Sequence, residues 1–102
     1  MSSDIYIPLS TVLSHREHFK FNTAYNVDVE TAIAEAATDE PDWEYVQHCL
    51  KPVLMCKFGA RETWRVVEIF DGTSDLHISC SGDFRRWLCE WLNDHNYGYI
   101  IL

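Results

Sequence analysis

The chain has 102 residues, is 47% hydrophobic and 14% aromatic, and carries 16 acidic against eight basic side chains, a net charge of −8 at pH 7. That apolar and aromatic content is ample for a packed core in one domain spanning residues 1–102, and it argues against disorder, which pairs high charge with few aromatics. The negative balance disfavours direct nucleic-acid binding, and no run approaches the ~18 apolar residues of a membrane span.

The opening Met1-Ser2-Ser3-Asp4 has neither a basic region nor an apolar run, so a soluble, cytoplasmic protein is expected. Residues 5–9 alternate as a strand, which Pro8 would confine to a sheet edge. Ser10 is the expected N-cap of a short helix over 11–18, and Phe19-Lys20-Phe21 leaves it in an extended alternation. Asp28 is a good N-cap for a helix over 29–37, whose Ala and Glu residues are strong helix formers. Thr38-Asp39-Glu40-Pro41-Asp42 restarts the chain with acids and a proline where a first helical turn favours them. Trp43, Val46 and Leu50 then fall on one face of a second helix, which Pro52 helps to stop.

From residue 53 the pattern changes to strands. Runs at 53–58, 64–70 and 76–80 are rich in β-branched, apolar and aromatic residues, with turn-like segments at 59–61 and 71–75, and an antiparallel meander is the simplest arrangement. In the middle run Trp64, Val66, Glu68 and Phe70 point one way and Arg65, Val67 and Ile69 the other, so one face is expected to be less buried. Phe84, Trp87, Leu88, Trp91 and Leu92 recur at helical spacing within 82–95, with Ser81 as the N-cap and Asn96 and Gly98 at the end. Residues 97–102 close the chain as a strand. The fold class expected is α+β: a small antiparallel sheet of about three to five strands, packed against the C-terminal amphipathic helix, with two short acidic helices.

No motif identifies an activity. Cys49, Cys56, Cys80 and Cys89 lack the short C-x-x-C pairing of zinc sites, and without a signal peptide buried reduced thiols are expected. Cys80-Ser81-Gly82-Asp83-Phe84-Arg85-Arg86 contains C-x5-R between a strand and a helix, and over these seven residues it resembles the signature of phosphatases with a cysteine nucleophile. There a helix N-terminus lowers the thiol pKa and cradles phosphate while the arginine grips two oxygens. The chain departs from that signature: Ser79 stands where a His usually precedes the cysteine, and Asp83 would repel a phosphate. His15 and His18 can share a helix face, but two ligands are not a metal site, and no metal or other cofactor is expected. His48 and Cys49, adjacent on a helix, face apart and cannot act as base and nucleophile. His77 reads as a satisfied structural histidine within its strand.

Charge is the strongest signal. Residues 21–50 hold seven carboxylates (Asp28, Glu30, Glu35, Asp39, Glu40, Asp42, Glu44) and no Lys or Arg; without them nine acids face eight bases, a net of only −1. Such a local field attracts basic partners and gives fast, salt-sensitive association. Glu35, Asp39, Glu40, Asp42 and Glu44 are the expected partner-binding residues, with Tyr45 as an aromatic anchor inside the charged rim. In size, acidity and lack of a catalytic motif the chain is similar in general character to small phage and mobile-element inhibitors, of the anti-CRISPR and anti-restriction type, and to immunity proteins that neutralise nucleases. The likeness is one of type and carries over no residue. The expected function is therefore non-enzymatic inhibition of a basic, nucleic-acid-handling protein. The alternatives are an enzyme using Cys80 and Arg86, and a structural subunit or homo-oligomer pairing through a sheet edge or aromatic residues.

Overall fold

Alternating burial along the extended runs builds one antiparallel sheet. The computed structural model describes residues 2–51, 53–59, 63–70 and 74–102, so Pro52 and the centres of both expected turns, Ala60 with Arg61 and Asp71 to Thr73, lie outside the described residues. The strands are β1 (Ser2–Pro8), β2 (Phe19–Phe21), β3 (Val53–Phe58), β4 (Arg65–Ile69), β5 (Asp75–Ser81) and β6 (Ile100–Ile101), in the order β2-β3-β4-β5-β1-β6. Among the described residues the sheet thus has six strands where about three to five were expected. The meander β3-β4-β5 is extended at both ends. Phe19 and Phe21 pair with Phe58 and Cys56 and bury both rings, while the N-terminal run pairs with β5 from Ser2↔Ser81 to Pro8↔Asp75.

Pro8 does not hold β1 at an edge. It is the last residue of its strand, and β6 pairs only with Ile5 and Tyr6, so no ladder bond is required of it on that side. The first helix also differs from expectation. α1 covers Leu9–Ser14, starts directly after Pro8 without a side-chain cap, and buries Leu9, Val12 and Leu13. Ser10 lies inside it. His15 to His18 form a turn instead, in which the His18 and Phe19 amides both donate to the His15 carbonyl, at 2.9 and 3.1 Å. A single 3-10 turn at Thr23–Tyr25, capped by Asn22, follows β2.

α2 (Val29–Ala36), α3 (Trp43–Leu50) and α4 (Gly82–Asp94) complete the chain. α4 buries Phe84, Leu88 and Leu92 at i, i+4 and i+8. Each such side chain contributes roughly 1.5–3 kcal/mol of burial. Trp87 and Trp91 are half-buried and stack on each other, ring centres 5.7 Å apart. Trp91 also meets Phe19 edge-to-face at 5.3 Å and Tyr97 at 5.8 Å, which ties the end of α4 to β2.

One continuous core joins the helices to one face of the sheet: Ile5, Ile7, Phe58, Leu76 and Ile78 meet Val12, Val46, Leu50 and Leu88. The residues between them in the strands, Lys20, Val53, Val66, Glu68 and Ile100, and Phe70 just after β4, are exposed on the opposite face. Among the described residues no helix is long and apolar enough to cross a membrane.

Candidate partner-binding surface

Two hydrogen bonds fold α2 and α3 into an antiparallel pair. At one end the Asp28 amide donates to the Cys49 carbonyl at 2.8 Å; at the other the Asp42 amide donates to Glu35 Oε2 at 3.3 Å. The last turn of α2, the linker and the first turn of α3 therefore meet, and they gather Glu35, Asp39, Glu40, Asp42 and Glu44 at one end of the hairpin. Only Glu30 and Glu35 lie within α2 and only Glu44 within α3; Asp28 and Asp42 are N-caps, and Asp39 and Glu40 belong to the linker.

The five carboxylates are not equivalent. Asp39, Glu40, Asp42 and Glu44 are exposed, and none has an ion-pair partner among the described residues. Asp42 also accepts from the Tyr45 amide at 3.2 Å, a cap worth about 1 kcal/mol. Glu35 is half-buried, and its Oε2 also accepts from Thr38 Oγ1 at 3.2 Å, so it holds the hairpin end together rather than facing outward. Asp28, at the other end, accepts from the Thr31 hydroxyl at 2.7 Å and the Thr31 amide at 3.0 Å, bonds that hold its carboxyl below the usual value of 3.8.

Electrostatics at this end are unbalanced. Asp42 and Glu44 at the start of α3 suit the positive end of the helix dipole. Glu35 stands at the negative end of α2, whose last turn carries no basic residue. Tyr45 is 44% exposed. Its hydroxyl pKa is raised first by the neighbouring Cys49 thiol and then by burial, with smaller contributions from Asp28 and Glu35. Trp43 is half-buried against the core and His48 is exposed while Cys49 is buried.

In the C-x5-R segment Cys80 lies half-buried in β5 and Arg86 exposed on α4. Burial, and then the nearby Cys89, push the Cys80 thiol up, against the weaker opposing effect of Arg85 and Arg65. Arg86 is exposed and lines a hollow with Ser3, Gly82, Asp83 and Arg85, and Cys80 is not in that lining. Arg85 Nε donates to Ser3 Oγ at 2.6 Å. The other thiols are free; Cys56 is pushed up to about 12, mainly by burial. His15 and His18 sit around Tyr97, whose hydroxyl is 2.7 Å from His18 Nδ1, and the described residues contain no group suited to hold a metal ion.

The sequence gives no sign of how His77 is engaged. On the open sheet face its Nδ1 is 2.9 Å from Glu68 Oε1 and its Nε2 is 2.9 Å from Asp4 Oδ1. Carboxylates only accept, so both bonds can be donated by the ring only when both nitrogens carry protons, and the pair of carboxylates therefore favours the charged imidazolium. Burial alone would lower its pKa, but the bonds and charges of Asp4 and Glu68 outweigh this and hold it above 6.5. The tie therefore stabilises the fold fully below pH 6.5 and is lost as pH rises through the raised value. With half-exposed carboxylates, screening limits it to roughly 1 kcal/mol or less. Urea unfolding is expected to show His77→Gln losing more stability relative to wild type at pH 6 than at pH 9; an equal loss at both would refute the charged tie. Asp4 and Glu68 lie 73 and nine positions from His77, so only strand register could reveal the triplet.

Comparison of the chain with protein-family models, with curated proteins and with solved structures finds no match.

Proposed function

We propose that the protein is a non-enzymatic acidic binding protein that inhibits a basic, nucleic-acid-handling partner, its carboxylates standing where phosphates would lie. It would act in the manner of small phage or mobile-element inhibitors of the anti-CRISPR or anti-restriction type, or of nuclease immunity proteins. One observation carries this reading: the α2–α3 hairpin gathers at one end four exposed carboxylates that have no ion-pair partner among the described residues, in a segment of 30 residues that has no Lys or Arg. An incoming Lys or Arg would offset the mutual repulsion of these groups and the unfavourable placement of Glu35 at the end of α2. Asp39, Glu40, Asp42 and Glu44 would make the contacts, Tyr45 would supply the apolar anchor, and Glu35 would position the linker.

The test is capture from a lysate of the source cell or its host at low and high salt. A basic nucleic-acid enzyme retained at low salt, released by high salt and displaced by added DNA is the expected result. Capture that ignores salt and DNA would overturn it. Phosphate-ester turnover that disappears in Cys80→Ser would overturn the non-enzymatic reading as well, and none is expected.

A further inference from the structure

The end of α4 meets the turn before β2 through a cluster of titratable rings. Three of the chain's five histidines gather there about one tyrosine. His18 Nδ1 lies 2.7 Å from the Tyr97 hydroxyl, and the His18 ring stands edge-to-face to His95 with ring centres 4.6 Å apart. His95 stacks on Tyr97 at 5.4 Å, and His15 lies 4.8 Å from the same ring. All three imidazoles are half-buried.

The hydrogen bonds of this cluster are satisfied by neutral rings. The Trp91 carbonyl only accepts, so His95 donates to it from Nδ1 at 2.9 Å and its Nε2 needs no proton. The Tyr97 hydroxyl both donates and accepts, so it bonds a neutral His18 in either tautomer. His77 is the opposite case, because the two carboxylates that flank it favour the charged ring.

Few charges face the cluster. Glu17 Oε1 is 3.6 Å from His15 Nδ1, and its charge also acts on His18 and Tyr97. The carbonyl end of α4 favours one cation at His95, and Asp94 beside it is exposed. Arg16, in the same turn as His15 and His18, is directed over the Phe21 ring at 5.1 Å. From β2 and the end of β3 come only the uncharged Phe19, 5.4 Å from Tyr97, and the Gly59 amide, which donates to the His18 carbonyl at 2.8 Å. When the histidines take up protons, positive charge therefore exceeds what Glu17 and the helix end offset.

The three pieces that meet here are not equally anchored. The turn runs directly into the buried Phe19, and α4 is held by Phe84, Leu88 and Leu92. The C-terminal segment has weaker ties. The Tyr97 amide donates to the Leu92 carbonyl at 2.9 Å, the Tyr99 hydroxyl to Asn93 Oδ1 at 3.1 Å, and Leu102 exchanges two backbone bonds with Asp4. β6 pairs with β1 only at Ile5 and Tyr6, and Ile100, Ile101 and Leu102 are exposed.

We infer that His18, His95 and Tyr97 form a pH-sensitive latch, which holds residues 96–102 in place while the rings are neutral and releases them when both histidines are charged. Histidine is the side chain that changes charge between about pH 5 and 8. Two imidazolium rings with centres 4.6 Å apart repel, and the least anchored piece moves away. Release lifts β6 from the outer edge of β1, so acid frees the backbone groups of Ile5 and Tyr6 that β6 covers at neutral pH. The sign is opposite to that of His77, whose tie strengthens as pH falls. The latch does not involve the acidic hairpin, and its test is independent of the proposed function.

Amide hydrogen exchange of the full chain, read residue by residue at about pH 7.5 and about pH 5.5 and corrected for the intrinsic rate, tests it. Protection of the Tyr97 and Leu102 amides is expected to fall at least ~10-fold at the lower pH, while amides of β3, β4 and β5 keep theirs. His18→Gln can still bond the Tyr97 hydroxyl but cannot take a charge, and its protection at the two pH values is expected to agree within ~2-fold. His95→Gln removes the other charge and is expected to flatten the response in the same way, which keeps the test decisive if one variant fails to fold. Near-ultraviolet circular dichroism of the four tryptophans checks folding. Wild-type protection that does not change with pH overturns the inference. A pH response of wild-type size in a folded variant, or loss of protection across the whole sheet at the lower pH, overturns it equally.

Discussion

Replacing Asp39, Glu40 and Glu44 by Lys and Asp42 by Asn is expected to abolish capture of the basic partner while leaving the fold intact. The change takes the net charge from −8 to −1, since three reversals add six units and one neutralisation adds one. Asn is chosen at residue 42 because the side chain there caps α3 through the Tyr45 amide, and Asn caps as well as Asp whereas Lys would forfeit about 1 kcal/mol. Glu35 is left in place because its bonds to Thr38 and Asp42 hold the hairpin end. Juxtaposing like charges across an interface costs several kcal/mol, so affinity should fall by ~100-fold or more, much of it in the association rate. Association rates of wild type and variant with the captured protein, measured over a range of salt, give the answer. A variant that binds with the same rate and the same salt slope would sink the proposed function. Far-ultraviolet circular dichroism and the unfolding midpoint should be unchanged or slightly improved, because crowded like charges have been removed.

Among the glycines of the described residues, the largest stability loss from a single added methyl group is expected at Gly59. Its φ of +61° lies in the left-handed region, and a Cβ built there would come within 2.8 Å of Trp91 Nε1 and 3.0 Å of Trp91 Cε2. Trp91 has little room to retreat, being held against Phe19, Trp87, His95 and Tyr97. A left-handed non-glycine residue costs about 1–2 kcal/mol and overpacking a further ~1–3, so Gly59→Ala should lose about 3 kcal/mol. Gly82 provides the control. It has the same φ of +61° but nothing within 4 Å of the added Cβ, so Gly82→Ala should lose only the backbone part, about 1–2 kcal/mol. Urea unfolding of both variants separates the two contributions. Equal losses would mean that Trp91 yields without cost and that it does not pack tightly against Gly59.

Local signals located the elements better than they placed them. α4 was legible because five apolar residues repeat with the helical period, and α2 and α3 because Asp28 and Asp42 precede runs that bury Ala32, Val46 and Leu50. The first helix starts earlier than Ser10, which resembles a cap, because burial of Leu9 and the fixed φ of Pro8 begin it at residue 9. β6 reaches only two of the expected six residues, since Tyr97 and Tyr99 are drawn into side-chain contacts around α4. At the acidic hairpin the exposed residues were legible from charge alone. The inward role of Glu35 was not, because it depends on where the backbone of residue 42 returns in space.

The sequence by itself determined the α+β composition, the helical and extended runs, and the segregation of acidic residues into positions 21–50, all of which follow from periodicity, capping chemistry and local charge. Tertiary structure alone decided that β1 enters the sheet between β5 and β6 despite Pro8, that all helices cover the same face, and that Asp4, Glu68 and His77 converge on the other. Those outcomes rest on pairing between residues far apart in the chain. A strand's alternation shows that it has two faces, but which face is covered depends on where distant helices pack, and that information is not carried by any local stretch of residues.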